Sequence, residues 1–338
     1  MGNDIFLFWQ GLNELAEKLE GNENLFVGTR PFGFHGGNKW TMVAYPWHLF
    51  KKVEEKGGKP KFTFYVSIND MEPCHLKYLY LAKDSKPYYK TLQEMGADEE
   101  PPYNYNVFPE DTSFQFTKDS NGCCASIVDH WQKVMEHEMG ILKKEFPGIK
   151  MRFVRNSKIK NDKIFLSVLK KTIERPELIA QIIKRFDDAP IADQNLFFAG
   201  AICPECKSAQ GQTSIASDDV KFSCTNCNTL YNGKLRETDF WMHHVPLLVP
   251  RIIIFDIDVC IRGGDHYQAK RVEINNMLMK ELGNSDKNPS TLVAPMVLSS
   301  DGRKMSKSWF NEQDITLEQV LKVANGWNEG AVPFKKFR

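Results

Sequence analysis

A chain of 338 residues with 42% hydrophobic and 26% charged residues has ordinary globular usage and room for a large core, which excludes intrinsic disorder and fibrous repeats. Forty-four Lys and Arg stand against 43 Asp and Glu, a net charge of +1, so a polyanion could be bound only through a local basic patch. No apolar run approaches the roughly 18 residues of a membrane span, and the N-terminus lacks the basic start and apolar stretch of a signal peptide. A soluble, cytoplasmic protein with no membrane partner is expected.

Apolar residues recur at helical spacing from Leu12 to Leu19, ahead of a turn at Asn22-Glu23-Asn24. Leu25-Phe26-Val27 reads as a short buried strand entering a Gly-rich loop, Gly28 to Gly37. Lys39 to Glu55 is predicted helical, ending at Lys56-Gly57-Gly58, and Lys61 to Ser67 is a second strand running into the polar tip Asn69-Asp70. Strand, Gly-rich loop, helix and strand open a βαβ unit, hence a parallel sheet. Lys86 to Thr112, rich in Pro, Tyr, Asn and Glu, reads as a long irregular loop. Cys123 to Lys144 is predicted as one long amphipathic helix, with Ile127, Trp131, Val134 and Met135 on its apolar face. A short strand, Lys150 to Val154, precedes helical pattern from Lys163 to Arg185 that is interrupted near Pro176. The apolar run Val249 to Ile257 reads as a central strand and Leu292 to Leu298 as another; Asp314 to Gly326 can form one amphipathic helix.

Of the eight cysteines, Cys203, Cys206, Cys224 and Cys227 make the spacing C-x2-C-x17-C-x2-C. Two residues between cysteines let backbone amides wrap one side of a small ion, and two such knuckles close a tetrahedral cage of thiolates. Gln210 to Phe222 suits the hairpin that joins them. The alternative is four reduced structural cysteines; the paired spacing favours zinc over both that and an iron–sulfur cluster. Four protein ligands leave no open position, so the zinc should be structural. His243 and His244 nearby read as core or pocket lining, Cys74 and Cys260 as buried thiols, and the Cys123-Cys124 pair carries no local catalytic signal.

Lys304-Met305-Ser306-Lys307-Ser308 follows a Gly-primed loop, Ser299 to Arg303, just beyond the expected Leu292–Leu298 strand. Two lysines three apart can reach two oxygens of one polyphosphate, and Ser306 and Ser308 add hydroxyl donors. Near the N-terminus, Arg30-Pro31-Phe32-Gly33-Phe34-His35-Gly36-Gly37-Asn38 combines glycines that admit a nucleotide with a helix start that offers amides to phosphate. Arg262-Gly263-Gly264-Asp265-His266 is a polar Gly-rich turn suited to ribose or adenine. The pentapeptide, the weakened HIGH-like loop and the Gly-x-Asp-His turn, in this order, resemble the signatures of class I aminoacyl-tRNA synthetases.

The order of parts is most similar to class I lysyl-tRNA synthetase, with Ser67 to Pro73 resembling its Asp-rich tip and Gly122 to His130 its helix opening. That resemblance implies an α/β fold: a Rossmann-type parallel sheet with helices on both faces, interrupted by a mostly helical connective insertion and a small zinc module. The halves of the catalytic domain would be 1–95 and 236–311, the insertion 96–235 with the zinc module at 200–230, and 312–338 a short C-terminal helix and tail. It implies a ligase that activates an amino acid, lysine first, with ATP and Mg2+ and transfers it to tRNA. His35, Asn38, Lys304 and Lys307 would be catalytic. Gly33, Gly36, Gly37, Gly263, Gly264, Asp265, His266, Met305, Ser306 and Ser308 would bind ATP, and Gly28, Arg30, Asp239 and His266 would line the amino-acid pocket. Counting from the zinc side places the family's pocket Asp at Asp239, whereas counting back from Asp265 without gaps places it at Leu247. Arg30 suits a carboxylate or phosphate better than a cationic substrate. Only 27 residues follow Asn311, where the family carries an anticodon-binding domain, so recognition of the acceptor stem alone is expected. A non-tRNA acceptor, or a non-catalytic zinc-bearing module that binds nucleotide or tRNA, stays open beside this reading. The sequence does not decide the oligomeric state.

Overall fold

A computed structural model describes residues 4–31, 34, 36–74, 112–119, 122–186, 197–268, 270–300, 302, 305 and 315–337. The chain opens with strand β1 (Ile5–Leu7), which three residues of sequence could not announce, and helix α1 (Phe8–Lys18). Strand β2 (Asn24–Thr29) leads through the Gly-rich loop to α2 (Gly36–Lys39), a π-helical turn at Trp40–Ala44, α3 (Tyr45–Glu55) and strand β3 (Thr63–Ile68). The short strands β4 (Pro73–Cys74) and β5 (Thr112–Ser113) pair antiparallel. All but Thr112 of the expected loop from Lys86 to Thr112 lies outside the described residues.

The single helix expected from Cys123 to Lys144 is instead two, α4 (Ile127–Glu138) and α5 (Gly140–Glu145). The start is moved by a capping box. Ser126 Oγ accepts the Asp129 N–H at 3.1 Å, and the Asp129 carboxylate accepts the Ser126 N–H at 3.1 Å. Before it, the Asp119 carboxylate takes the N–H groups of Cys123 and Cys124 at 3.0 and 2.9 Å, which bends the chain out of helical form. Strand β6 (Lys150–Arg155) follows, then α6 (Lys163–Glu174) and α7 (Pro176–Phe186), with Pro176 at the first position of its helix, where a missing N–H costs nothing.

The cysteine segment builds β7 (Ala199–Ala201), the hairpin β8 (Gly211–Ala216) and β9 (Asp219–Cys224), a third strand β10 (Leu230–Lys234), and β11 (Phe240–Met242) against β7. The run Val249–Ile257, expected as a central strand, falls largely in helix α8 (His244–Ile254). A short apolar run does not separate a buried strand from a helix buried all round. Here His243 Nδ1 accepts the Val245 N–H, and Pro246 sits in the first turn, where it breaks no helical bond. The central strand is the next segment, β12 (Val259–Gly263), followed by α9 (Gly264–Gln268), α10 (Arg271–Glu281), β13 (Ser290–Ala294), β14 (Met296–Val297), α11 (Leu317–Ala324) and β15 (Ala331–Val332).

Six strands form one parallel sheet in the order β1-β13-β12-β2-β3-β6. β6, assigned by the sequence reading to the connective insertion, is thus an edge strand of the central sheet, paired from Thr63–Lys150 to Ile68–Arg155. Alternation puts Leu25, Val27, Phe64, Val66, Val259 and Ile261 on one face, against α1, α3, α4, α5 and α11. Phe26, Tyr65 and Cys260 point to the other, against α6, α7, α8 and α10. Helices therefore cover both faces. No helix among the described residues is long and apolar enough to cross a membrane.

The C-terminal segment packs into the first face: β15 pairs with β14, and the Phe337 ring meets Trp40 edge-on at 5.9 Å. Helix α11 starts on a second capping box, in which Thr316 Oγ1 accepts the Gln319 N–H and Gln319 Oε1 accepts the Thr316 N–H. Thr316→Ala should lower stability by about 1 kcal/mol, read as a shift of the urea midpoint at unchanged slope.

Candidate active site and metal centres

From β2 the chain moves outward to β3 and β6, then returns on the other side of β2 at β12 and β13. The switch point lies between β2 and β12, and in open parallel sheets ligands bind in the crevice outside the carboxyl ends of the strands at that point. The predicted residues that gather there are Gly28 near the end of β2 and Arg30 just after it, Gly36 at the start of α2, Gly263 at the end of β12 and Gly264 at the start of α9. His35, Gly33, Lys304, Ser306, Lys307 and Ser308 lie outside the described residues.

Met305 connects the two signature loops. It is 1% exposed, its N–H donates to the Val297 carbonyl at 2.7 Å, and its Sδ would lie 3.3 Å from a Cβ added at Gly36. Ile315 Cδ1 crowds the same point at 3.1 Å, and Lys39 Nζ donates to the Ile315 carbonyl at 2.7 Å. Met305, the one described residue of the lysine pentapeptide, is thereby packed against a glycine of the HIGH-like loop. At Gly264 a Cβ would press on the Ala294 carbonyl at 3.2 Å, so α9 turns tightly over the end of β13. Asp265 and His266 stand partly exposed beside it, His266 Nε2 being 3.9 Å from Asp265 Oδ2. Gly37 accepts a hydrogen bond from Thr41 Oγ1 at 3.0 Å, and Asn38 Nδ2 lies 3.8 Å from Met42 Sδ.

At the ends of β2 and β3 a charged cluster carries residues that the sequence reading did not single out as site residues. Glu72, 3% exposed, accepts from Arg30 Nε and Nη2 at 3.0 and 2.6 Å and from His244 Nδ1 at 2.9 Å. Burial opposes ionisation of Glu72, yet Arg30 and His244 hold its carboxyl well below the usual range. Burial also depresses His243 and His244, so both rings are neutral near pH 7. Arg251, 2% exposed, donates to Ser67 Oγ at 3.2 Å and Asn69 Oδ1 at 2.5 Å, and burial lowers its pKa to about 9. Asp239 pairs with Lys160 at 2.5 Å and lines an adjoining cavity of about 290 Å³ with Asp70, Ser126, Arg155 and Ser157. Leu247, its alternative, is buried in the core. A polar strand tip in sequence hinted at Glu72; its partners are 42 and 172 residues away.

Glu72→Gln removes one member of a buried pair and should cost about 2 kcal/mol at pH 7. Because the folded-state pKa is depressed, the stabilisation is complete above the ordinary value of 4.5 and is lost as pH falls toward the folded-state value. The gap between parent and variant in urea melts should therefore narrow below pH 4.5.

The four predicted metal ligands converge. Cys203 Sγ lies 3.6 Å from Cys227 Sγ, Cys206 Sγ lies 3.6 Å from Cys224 Sγ, and all four lie within 4.8 Å of one another. A tetrahedron of thiolates around zinc has edges of about 3.8 Å, so the donor set fits. Burial pushes the Cys224 thiol up to about 12, so a cation is needed to keep four thiolates together.

The sequence reading missed a second cluster, Asp119, Cys123, Cys124 and His130, also within 4.8 Å of one another. Cys123 Sγ stands 3.1 Å from His130 Nδ1, 3.3 Å from Asp119 Oδ2 and 3.5 Å from Cys124 Sγ, while Lys133 Nζ reaches Cys124 Sγ at 3.4 Å. Hydrogen bonds with Cys124 and the Asp119 carboxylate push the Cys123 thiol up to about 11. Two thiols, an imidazole and a carboxylate are also a zinc-type donor set. Only the vicinal cysteines were visible in sequence; the bend that carries them toward Asp119 was not.

Residues 116–327 match the family model described as tRNA synthetases class I (K). No curated protein matches the sequence. Among solved structures, the tyrosyl-tRNA synthetase of Archaeoglobus fulgidus complexed with L-tyrosine is 15% identical, over 91% of this chain and 65% of that one, with a TM-score of 0.43. The Aeropyrum pernix tyrosyl-tRNA synthetase is 16% identical over 87% of this chain and 58% of that one, with a TM-score of 0.39. The arginyl-tRNA synthetase of Plasmodium falciparum is 9% identical over 82% and 44%, with a TM-score of 0.29. The chain thus spans less than two thirds of the length of each of these three.

Proposed function

The chain belongs to the class I tRNA synthetases, and from that premise we propose that it joins an amino acid to ATP as an aminoacyl-adenylate and passes the acyl group to the 3′ end of a tRNA. The observation that supports the reading is Met305, from the lysine pentapeptide, packed at Gly36 of the HIGH-like segment. An amino-acid carboxylate oxygen attacks the α-phosphorus in line; the new P–O bond forms as the bond to the departing pyrophosphate breaks. No covalent enzyme intermediate is needed, so catalysis is positioning plus charge stabilisation. His35 and Asn38 hold the triphosphate, and Lys304 and Lys307 stabilise the developing charge on pyrophosphate, with Ser306 and Ser308 as hydroxyl donors. Gly263, Gly264, Asp265 and His266 hold the nucleoside. Mg2+ accompanies the triphosphate as counter-charge. Zinc at Cys203, Cys206, Cys224 and Cys227 is structural, because four protein ligands leave no open position. Lysine is the amino acid that the family resemblance puts first.

The test is ATP–pyrophosphate exchange with each of the twenty amino acids, with and without total tRNA. Exchange that depends on a single amino acid is expected; none in either condition would sink the activation of these substrates.

A further inference from the structure

Resting on the acyl-transfer reading, we infer that the cavity at the carboxyl ends of β3 and β6 receives an unpaired nucleotide of an RNA 3′ end, with Lys158 on its phosphate and Phe116 against its base. The stretch Lys150–Lys163 sets this surface apart. Six of its fourteen residues are Lys or Arg and only Asp162 is acidic, in a chain whose net charge is +1. It runs along β6, the edge strand of the sheet, through a short helical turn at Asn156–Ile159 to the start of α6. Part of that charge is already compensated. Arg155 pairs with Asp129 at 2.7 Å and bonds to Gln132, Lys160 pairs with Asp239 at 2.5 Å, and Asp162 caps α6 by accepting the Ile164 N–H. Lys150, Arg152, Lys158 and Lys163 are exposed, and among the described residues they form no ion pair.

The cavity encloses about 290 Å³, room for one nucleoside, and Lys158 and Phe116 both stand in its wall. Phe116 is half-buried, and Lys207 Nζ from the first cysteine knuckle lies 5.2 Å from the centre of its ring. Cations beside an aromatic ring are the two elements that hold single-stranded nucleic acid: phosphates go to the cations and a base packs on the ring. An acidic protein surface would use the cations and leave both the ring and the enclosed volume without a purpose. The cavity also adjoins the crevice at the switch point. Asp70 lines the cavity, and two residues on Glu72 pairs with Arg30 on the crevice side, so residues 69–72 are a wall common to both. A 3′ end seated here ends beside the place where the adenylate forms.

Fluorescence anisotropy of the full chain with two labelled RNA hairpins, one ending in an unpaired 3′ ACCA and one blunt, tests this without relying on turnover. The hairpin with the unpaired end should bind at least tenfold more tightly than the blunt one. Lys158→Glu should weaken the unpaired end by at least tenfold and make its log–log salt dependence shallower by about 0.7, one phosphate contact on a single strand. Because Lys158 is exposed, that variant should melt as the parent does. Phe116→Leu should cost the unpaired end about fivefold or more, the lower end of the loss for a stacked base, and leave the blunt hairpin within threefold. Equal binding of the two hairpins, binding of neither, or a Lys158→Glu variant that binds the unpaired end as the parent does would overturn the inference. So would poly-L-glutamate displacing that hairpin as effectively as unlabelled RNA, which would assign the surface to an acidic protein. The exchange assay separates the two levels. Selective binding of the unpaired end without exchange for any amino acid keeps the RNA site and removes the activation reading; exchange with one amino acid and no difference between the hairpins does the reverse.

Discussion

Lys307→Ala lowers amino-acid-dependent ATP–pyrophosphate exchange by about 100-fold or more, with the fold intact. The expectation follows from the role given to the loop. Charge accumulates on the leaving pyrophosphate only in the transition state, and a positioned donor lost from such a site costs on the order of 10²–10³ in rate, about 3–4 kcal/mol. Lys304→Ala should behave alike, and the double variant should lose less than the product of the two, since both lysines act on one leaving group. Met305 itself is buried against Gly36 and is left in place by either substitution, so both variants should retain the parent's circular dichroism and melting temperature. The loss should appear in kcat, with the KM for the amino acid nearly unchanged. Equal exchange by parent and K307A would remove Lys307 from the chemistry. A parent that binds nucleotide or tRNA but shows no exchange would favour a binding module.

Cys224→Ser, or prolonged chelation, releases one zinc per chain and melts the three-stranded β8–β9–β10 unit before the central sheet. The unit is small: Val220 and Phe222 supply its buried apolar side chains, while alternate residues of β9 face water. A sheet of that size lacks the core to fold alone. A structural zinc cage contributes on the order of 10 kcal/mol at neutral pH, so a metal bound at the four cysteines would take the place of the missing core. Metal analysis of protein purified under reducing conditions should find zinc, and the variant should have one equivalent less. Limited proteolysis should then cut between β8 and β10 in the variant and not in the parent. A variant with the parent's zinc content and digestion pattern would show the cage to be dispensable. Cys123→Ser separates the second cluster in the same measurement. If Asp119, Cys123, Cys124 and His130 hold a metal, a further equivalent is lost while the β8–β10 unit stays protected.

Some of the protein's chemistry was written locally. The four zinc-type cysteines could be read from spacing because a tetrahedral cage demands two knuckles and a hairpin, and their sulfurs converge within 4.8 Å. The opening βαβ unit was legible because turn chemistry, strand alternation and helix periodicity are short-range properties, and β2, α3 and β3 lie close to where they were expected. The lysine loop was proposed from residue identity alone, and of its five residues only Met305 is described.

The tertiary structure decided what depends on neighbours distant in sequence. Val249–Ile257 was equally apolar as strand or helix; packing on all sides between α6 and α10 made most of it helical. β6 looked like part of an insertion until its pairing with β3 put it in the sheet. Arg30, Glu72 and His244 became one cluster only because parallel strand ends and the start of α8 meet there. Asp119 and His130 joined the vicinal cysteines only through the bend before α4. Spacing encodes contacts made within a turn, a knuckle or a helical repeat. The charge balance of a pocket is set by residues brought together across the whole chain, and it exists only once the sheet has formed.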